Sequence, residues 1–462
     1  MANRVESDSM GEIKIPNEFL YGASTQRAVE NFKVSNRRFD RRFIQALGLV
    51  KWAAAVANTD LGKLDKKIGE AIAKKALEVA TGTHDFHFVL DIYQTGSGTS
   101  TNMNANEVIA NLCNPELGGI VGSKKPVHPN DHVNCGQSSN DVIPTTIHVG
   151  AALGFSQGLI PALTELKNSF EKKAKEFSQV IKIGRTHLQD ATPITLGQEF
   201  SGYASQIEQS IKRSHQALDG LLELAIGGTA VGTGINTHPQ FAKKVCENLN
   251  QQTKLKFSEA KNHFEAQSAK DACVFASGAL KTVAISLMKI ANDLRWLASG
   301  PRCGIHEIHL PELQPGSSIM PGKINPVIPE SVMQIAAQVQ GNDLAIQIGG
   351  QHGNFELNVM MPVIAGNLFE SIKLLANGSS MLATKCVNGI EANTKRCKEL
   401  MEASLALVTN LNPVIGYDKA AAVSKKAYKE NKTIRQVLIE EKILSEKEID
   451  KLLDPKIMLN PK

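Results

Sequence analysis

The chain has 462 residues, of which 42% are hydrophobic and 21% charged, with a formal net charge of +5. That length leaves ample material for a large core and predicts about two to four domains. The charges are interspersed and no arginine-rich or basic–aromatic run occurs, which argues against a nucleic-acid partner. Seven cysteines (Cys113, Cys135, Cys246, Cys273, Cys303, Cys386 and Cys397) are scattered without a Cys-x-x-Cys pair, so a zinc knuckle or iron–sulfur cluster is not expected. Aromatic residues make up only 5%; the core must rest on Ala, Leu, Ile and Val, a composition suited to close-packed helices. The stretch Met1 to Gly11 is polar and acidic, unlike a signal peptide, and no uninterrupted apolar run reaches the ~20 residues of a membrane span. These features predict a soluble, cytoplasmic, mainly α protein.

In chain order, residues 1–137 read as a mixed segment with an extended polar start, helices near 41–58 and 66–80, and Gly/Asn/Pro-rich turns. His84 and His87 have metal-like spacing, but no supporting Cys or carboxylate motif accompanies them, so they read as structural. A first polar island runs Gln94-Thr95-Gly96-Ser97-Gly98-Thr99-Ser100-Thr101-Asn102-Met103-Asn104, a Gly-rich turn ahead of a helix expected at Glu107 to Leu112. Such helix starts bind anions, although a plain N-cap explains the residues as well. The second island runs from His128-Pro129-Asn130-Asp131 through Gln137-Ser138-Ser139-Asn140-Asp141.

From residue 140 the pattern turns long and helical. Leu159, Leu163, Leu166, Phe170, Ala174 and Phe177 recur at spacings of three and four, as do Phe200, Ala204, Ile207, Ile211, Ser214, Leu218 and Leu221. That alternation is the seam of helices packed nearly parallel. A third island, Gly184-Arg185-Thr186-His187-Leu188-Gln189-Asp190, reads as a loop before a new helix. The Gly227–Gly234 run resembles a dinucleotide loop only superficially, because no strand precedes it, and reads as a helix connection. Ala266 to Leu297 is apolar on more than one face and, as one helix at ~1.5 Å per residue, extends ~45 Å. A rod that long belongs in a bundle extending across a subunit interface.

The fourth island, Gly316-Ser317-Ser318-Ile319-Met320-Pro321-Gly322-Lys323-Ile324-Asn325-Pro326, gathers hydroxyls, a cation and an amide between apolar helices. Its glycines permit movement while its prolines fix the exit direction, so it reads as a mobile active-site loop. Pro329 fits the first position of the following helix. Glu330 then sits in the first turn, where the helix dipole keeps a carboxylate ionised. His187 is the candidate proton relay. The charged segment after Gly389 reads as a small terminal domain whose lysines form a solvated helical face. The sequence divides as 1–137, 138–389 and 390–462.

Together the four islands resemble the signature regions of class II fumarases, in the fumarase/aspartase superfamily, in the same order and over nearly the whole chain. The tail stretch Gly416-Tyr417-Asp418-Lys419-Ala420-Ala421 is similar too. The resemblance implies a mainly α, L-aspartase-like three-domain subunit whose central long-helix bundle forms the core of a homotetramer. It also implies metal-independent interconversion of fumarate and L-malate without a cofactor, at active sites shared among three subunits.

Carried onto this sequence, the resemblance makes Ser317 the base, His187 oriented by Glu330 the general acid or base, and Lys323 an electrostatic partner. Ser97, Gly98, Thr99, Ser138, Ser139, Asn140, Thr186, Ser318, Lys323, Ile324 and Asn325 are then substrate-binding. His128, Pro129, Asn130 and Asp131 match the family's secondary dicarboxylate site. That site often carries Arg where this sequence has Lys125, and Val327-Ile328-Pro329 departs from the family's usual Thr-Gln-Cys. Aspartate ammonia-lyase is the alternative on the same fold; aspartases typically have Pro-Ala-Lys where Gly322 stands and Ser-Thr-Asn where Ser139 stands. A non-catalytic structural protein is the third reading.

Overall fold

The computed structural model describes residues 2–460. Helices dominate, and the strands form small two-stranded sheets. The chain divides into two compact units: residues 1–161, 211–284 and 335–377 in the first, and 162–210, 285–334 and 378–462 in the second.

The first unit opens on an antiparallel hairpin, Asn3–Asp8 with Gly11–Pro16, matching the extended start read from sequence. Helices Arg41–Asp60 and Lys66–Thr81 follow within a few residues of expectation. Asp40 and Asp65 cap them by accepting the backbone N–H groups of Arg42 and of Lys67 and Ile68, respectively. These helices pack closely at Gly48, where an added Cβ would lie 2.6 Å from the backbone N of Ala80. The helix before the second island begins at Thr99 and runs to Glu116, well ahead of the expected Glu107. Phe43 meets Phe369 edge-on at 5.8 Å, and Lys281 reaches Asp343 at 2.6 Å.

Two long helical stretches, Ser139–Glu176 and Asp271–Leu297, are long and apolar enough to cross a membrane; 67% and 56% of their most apolar windows are buried, as in core helices of a folded bundle. The sequence expectation of no such segment is therefore corrected: isolated polar residues interrupt each run without lowering its mean hydropathy enough. The rod expected from Ala266 is also broken. Helix His263–Ser268 ends at an extended Ala269, and Asp271–Leu297 starts afresh, leaving 27 residues and ~40 Å.

In the second unit, Phe170, Phe177, Phe200 and Tyr203 stack edge-on around the seam positions predicted from sequence. The hairpin Ile181–Thr186 with Gln189–Thr195 replaces the loop expected at the third island. The C-terminal segment has its own core, with Leu411, Val437, Leu438 and Ile449 all buried. Its lysines pair with glutamates, Lys432 with Glu430 and Glu440 at 2.9 and 2.6 Å, as a solvated face requires.

Candidate functional site

Two of the polar islands belong to the first unit and two to the second. The first island forms the entry to helix Thr99–Glu116. Gly98 stands at the N-cap with φ +72°, a left-handed conformation natural to glycine. Gly96 has no room for a side chain, since a Cβ would lie 1.9 Å from the Val359 carbonyl oxygen. The Ser97 and Thr99 hydroxyls are 2.7 Å apart, at the positive end of the helix, where an anion is favoured. Gln94 locks the turn by accepting the Thr101 N–H and hydroxyl at 3.1 and 2.8 Å.

The second island starts helix Ser139–Gly154 with a capping box formed by Ser138 and Asp141. Asp141 is fully buried and accepts three backbone N–H groups: Ser138 at 2.9 Å, and Gly227 and Thr229 at 3.0 Å each. Burial pushes its carboxyl up to about 6 against the pull of those N–H groups. Asn140 donates to the Ala230 carbonyl at 2.8 Å. The Gly227–Gly234 connection is therefore the clamp that fixes Ser138, Ser139 and Asn140, a role its sequence does not announce.

Below this turn lies Lys51, fully buried on helix Arg41–Asp60. Its ammonium donates to Asn134 Oδ1 at 3.0 Å and Gln137 Oε1 at 2.9 Å. Burial pushes its pKa down to about 7, with Asp141 pulling the other way. Asn102 donates both to Asn134 Oδ1 at 3.2 Å and to Ser139 Oγ at 3.0 Å. His128 caps the short turn Pro129–Val133 by accepting the N–H groups of Asn130 and Asp131 through Nδ1, at 3.2 Å each. Its neighbourhood is a cavity of about 790 Å³ lined by Arg27, Lys124, His128, Pro129 and Asn130, among others. Lys125 is exposed and does not line it.

In the second unit, Thr186 and His187 occupy the tip of the hairpin. His187 and Leu188 have φ +56° and +60°, the pair of left-handed residues that closes a two-residue hairpin turn with matching twist. Such conformations in non-glycine residues cost on the order of 1–3 kcal/mol and persist where surrounding structure holds them. Here the holding group is Arg185, whose guanidinium makes a two-pronged pair with Glu307 at 2.8 and 3.0 Å. Glu307 is fully buried and also meets Lys182 at 3.2 Å. His187 itself is exposed.

In the fourth island, the Gly316 N–H donates to the Lys323 carbonyl at 2.9 Å, and the Asn325 side chain donates to the Gly316 carbonyl. These bonds close the loop on itself. At its head, Ser317 Oγ accepts the N–H groups of Ile319 at 3.3 Å and Met320 at 3.0 Å. Ser318, Lys323 and Ile324 are exposed and Asn325 is half-buried. Helix Val327–Gly350 begins two residues before Pro329, correcting the expected first position, and still keeps Glu330 in its first turn. The arm from Gly322 to Pro326, with Glu330, His306, His309 and Arg295, lines a cavity of about 590 Å³. Among the described residues, no hydrogen bond or ion pair within the chain joins Glu330 to His187.

The islands thus present hydroxyls, amides and N–H groups, an imidazole at a rigid tip, and a serine whose oxygen is already solvated by backbone donors. Sequence reading quoted Asn102 and Gln137 without giving them work, and missed Lys51 and Glu307. Only the Gly-rich composition of 227–234 hinted at a tight approach.

The profile of a family described as "Lyase" matches residues 11–341, and that of "Fumarase C C-terminus" matches residues 407–460. A class II fumarate hydratase from Nitrosomonas europaea is 53% identical, over 98% of each chain. The mitochondrial fumarate hydratase of Saccharomyces cerevisiae is 52% identical, over 99% of this chain and 94% of the other. The crystal structure of class II fumarase from Schistosoma mansoni superposes with a TM-score of 0.95 at 41% identity, covering 98% of both chains.

Proposed function

The chain belongs to the class II fumarases of the lyase family, and we propose that it is a hydro-lyase interconverting fumarate and L-malate. The observation that carries the chemistry is the Ser317 oxygen, which accepts two backbone N–H bonds within its own loop. An alkoxide is far too basic unaided, and each unit of pKa depression takes ~1.4 kcal/mol of differential stabilisation. Two fixed donors and Lys323, which lines the same cavity as Ser317, supply part of it.

Ser317 removes the weakly acidic C3 proton of malate, and its electrons pass into the neighbouring carboxylate as an aci-carboxylate. The C2 hydroxyl then leaves as water, with the proton supplied by His187. Ser97, Gly98, Thr99, Ser138, Ser139, Asn140, Thr186, Ser318, Ile324 and Asn325, with Lys323, hold the two substrate carboxylates. His128, Pro129, Asn130 and Asp131 form the secondary dicarboxylate site, with Arg27 and Lys124 as its supporting cations.

Glu330 orients His187 from a different subunit in a homotetramer; two observations support this. Among the described residues the pair is not joined within the chain, and the long helices leave large apolar residues uncovered, including Phe275 at 55%, Trp296 at 48% and Leu344 at 58% exposure. The division at 1–137, 138–389 and 390–462 belongs to the same reading, supported at its end by the separate C-terminal core. The enzyme works in an aqueous compartment, the cytoplasm.

Gly322 bears on the choice against aspartate. Its φ is +79°, so the alanine typical of aspartases would be strained there by roughly 1 kcal/mol. Purified protein given L-malate or L-aspartate without added metal, followed by fumarate absorbance, tests the assignment. Fumarate from malate is the expected result. Production from aspartate alone would make the chain an ammonia-lyase, and production from neither a non-catalytic relative.

A further inference from the structure

We infer that Lys51 is a positioning residue for substrate binding, which sets the pose of the carboxylate-binding turn Ser138–Asn140 through Asn134, Gln137 and Asn102. The inference rests on the reading of that turn as part of the substrate site.

A fully buried ammonium normally meets a carboxylate, because desolvation otherwise makes it costly. Lys51 instead donates to two neutral side-chain carbonyls, Asn134 Oδ1 at 3.0 Å and Gln137 Oε1 at 2.9 Å. Both lie in the residues that lead into Ser138. Asn134 passes the constraint onward in two ways. Its amide donates to the Gln137 carbonyl at 3.1 Å, fixing the backbone just before Ser138. Its oxygen also accepts from Asn102, whose same amide nitrogen donates to Ser139 Oγ at 3.0 Å. Gln137 returns to the Val133 and Cys135 carbonyls at 3.1 and 3.2 Å.

The ammonium thus stands at the root of a chain of bonds that ends on a substrate-binding hydroxyl. It also orients both amides so that their carbonyls point inward to the cation, which leaves the Asn102 amide to donate toward Ser139 and the Ser139 proton free for a ligand oxygen. A structural stabiliser alone has no need of this arrangement, since an apolar side chain of similar volume would fill the same space at lower desolvation cost. Among the described residues, Lys51 bonds within the chain to Asn134 and Gln137 and to none of the proposed catalytic groups, so its effect is expected in binding before turnover.

The test compares Lys51→Met, which keeps the volume and removes the donors, with Asn102→Ala, which cuts the link to Ser139 without touching the cation. For Lys51→Met we expect KM for both fumarate and malate to rise about tenfold while kcat falls less than about threefold, the pattern of lost ground-state and transition-state binding together. Asn102→Ala should raise KM in the same direction, and the double variant should be no worse than the larger single one, because both act through one path. A folded Lys51→Met protein with unchanged KM, or with kcat lost at unchanged KM, would overturn the inference. So would additive effects in the double variant. Where Lys51→Met yields no folded protein, Asn102→Ala decides alone: an unchanged KM refutes the path to Ser139. Wild-type protein without fumarate hydration would instead sink the functional reading itself, before any variant is compared.

Discussion

The turn at Ser138–Asn140 and the loop at Gly316–Pro326 use the same kinds of residue and are held in opposite ways. The first is fixed from below by Lys51, Asn102 and Asn134, and from the side by a buried Asp141 and the Gly227–Ala230 clamp. The second closes on itself, through Gly316, Lys323 and Asn325, and most of its side chains are exposed. Groups that bind carboxylates gain from being fixed before substrate arrives, since ordering them is then no longer a cost of binding. A base that must take a proton and lose it again gains from a small, separately hinged support. On the proposed function, preorganised binding and an independently held base are built from one vocabulary of serine, asparagine and glycine.

The largest effect tests the base side of this contrast. Ser317→Ala should lower kcat by about 10²- to 10⁴-fold with the fold and assembly intact by scattering and circular dichroism. Near-normal turnover would remove Ser317 from its role and leave the loop a mere cover. Next comes the fixed side. Asp141→Ala strips the buried N–H groups of Gly227 and Thr229, and the half-buried one of Ser138, of their acceptor; at roughly 1–3 kcal/mol for each buried group, denaturant unfolding should show a loss of at least about 2 kcal/mol. A loss below about 1 kcal/mol would mean that the turn is not held as described.

The hairpin behaves like the fixed turn, although its tip carries the proposed proton-transfer group, His187. Arg185→Met leaves Glu307 with Lys182 as its remaining partner and should cost about 3 kcal/mol, with kcat falling as His187 loses its support. Gly322→Ala is milder: strain of ~1 kcal/mol, and a few-fold loss of kcat without a change of substrate preference. Fumarate production from aspartate by that variant would show that this position selects the nucleophile directly.

The smallest expected effect is a pH dependence of the fixed side. His148, on the helix that starts at Ser139, donates its Nδ1–H to the Glu223 carbonyl at 2.8 Å, and burial pushes its pKa down to about 4. Its folded pKa lies below the unfolded value near ~6.5, so the unfolded chain binds more protons between them. Its contribution to stability is complete above that value and is lost as pH falls toward 4. Asp141, raised to about 6, opposes this trend over the lower part of the range. His148→Gln should therefore flatten the decline of the melting midpoint between about pH 6.5 and 5; an unchanged slope would place the acid sensitivity elsewhere.

Much of this contrast was legible in the sequence at the level of elements and motifs. The three–four seams marked the long helices, and Glu330 fell in a first helical turn as its neighbours required. The hairpin at His187 was not legible, because Thr-His-Leu-Gln lacks the Asn-Gly or Asp-Gly pair that announces such a turn; the Arg185–Glu307 pair, 122 residues apart, holds it instead. Lys51 escaped for a related reason. A lysine in a helix reads as a solvated position until tertiary contacts close over it, and Asn134 and Gln137 lie more than 80 residues away. The break at Ala269 also went unseen, since Ala and Ser favour no clear stop in an apolar run.

The central claim is that the catalytic centre joins a base loop, an imidazole tip and a fixed carboxylate turn drawn from different subunits. Ser317→Ala and His187→Asn proteins, each inactive alone, test it when they are unfolded together, refolded as a mixture and assayed for malate dehydration. Shared sites predict that the mixture regains activity, because some mixed tetramers contain a centre with both residues intact. A mixture as inactive as its components, with mixed tetramers shown to be present, would contradict it.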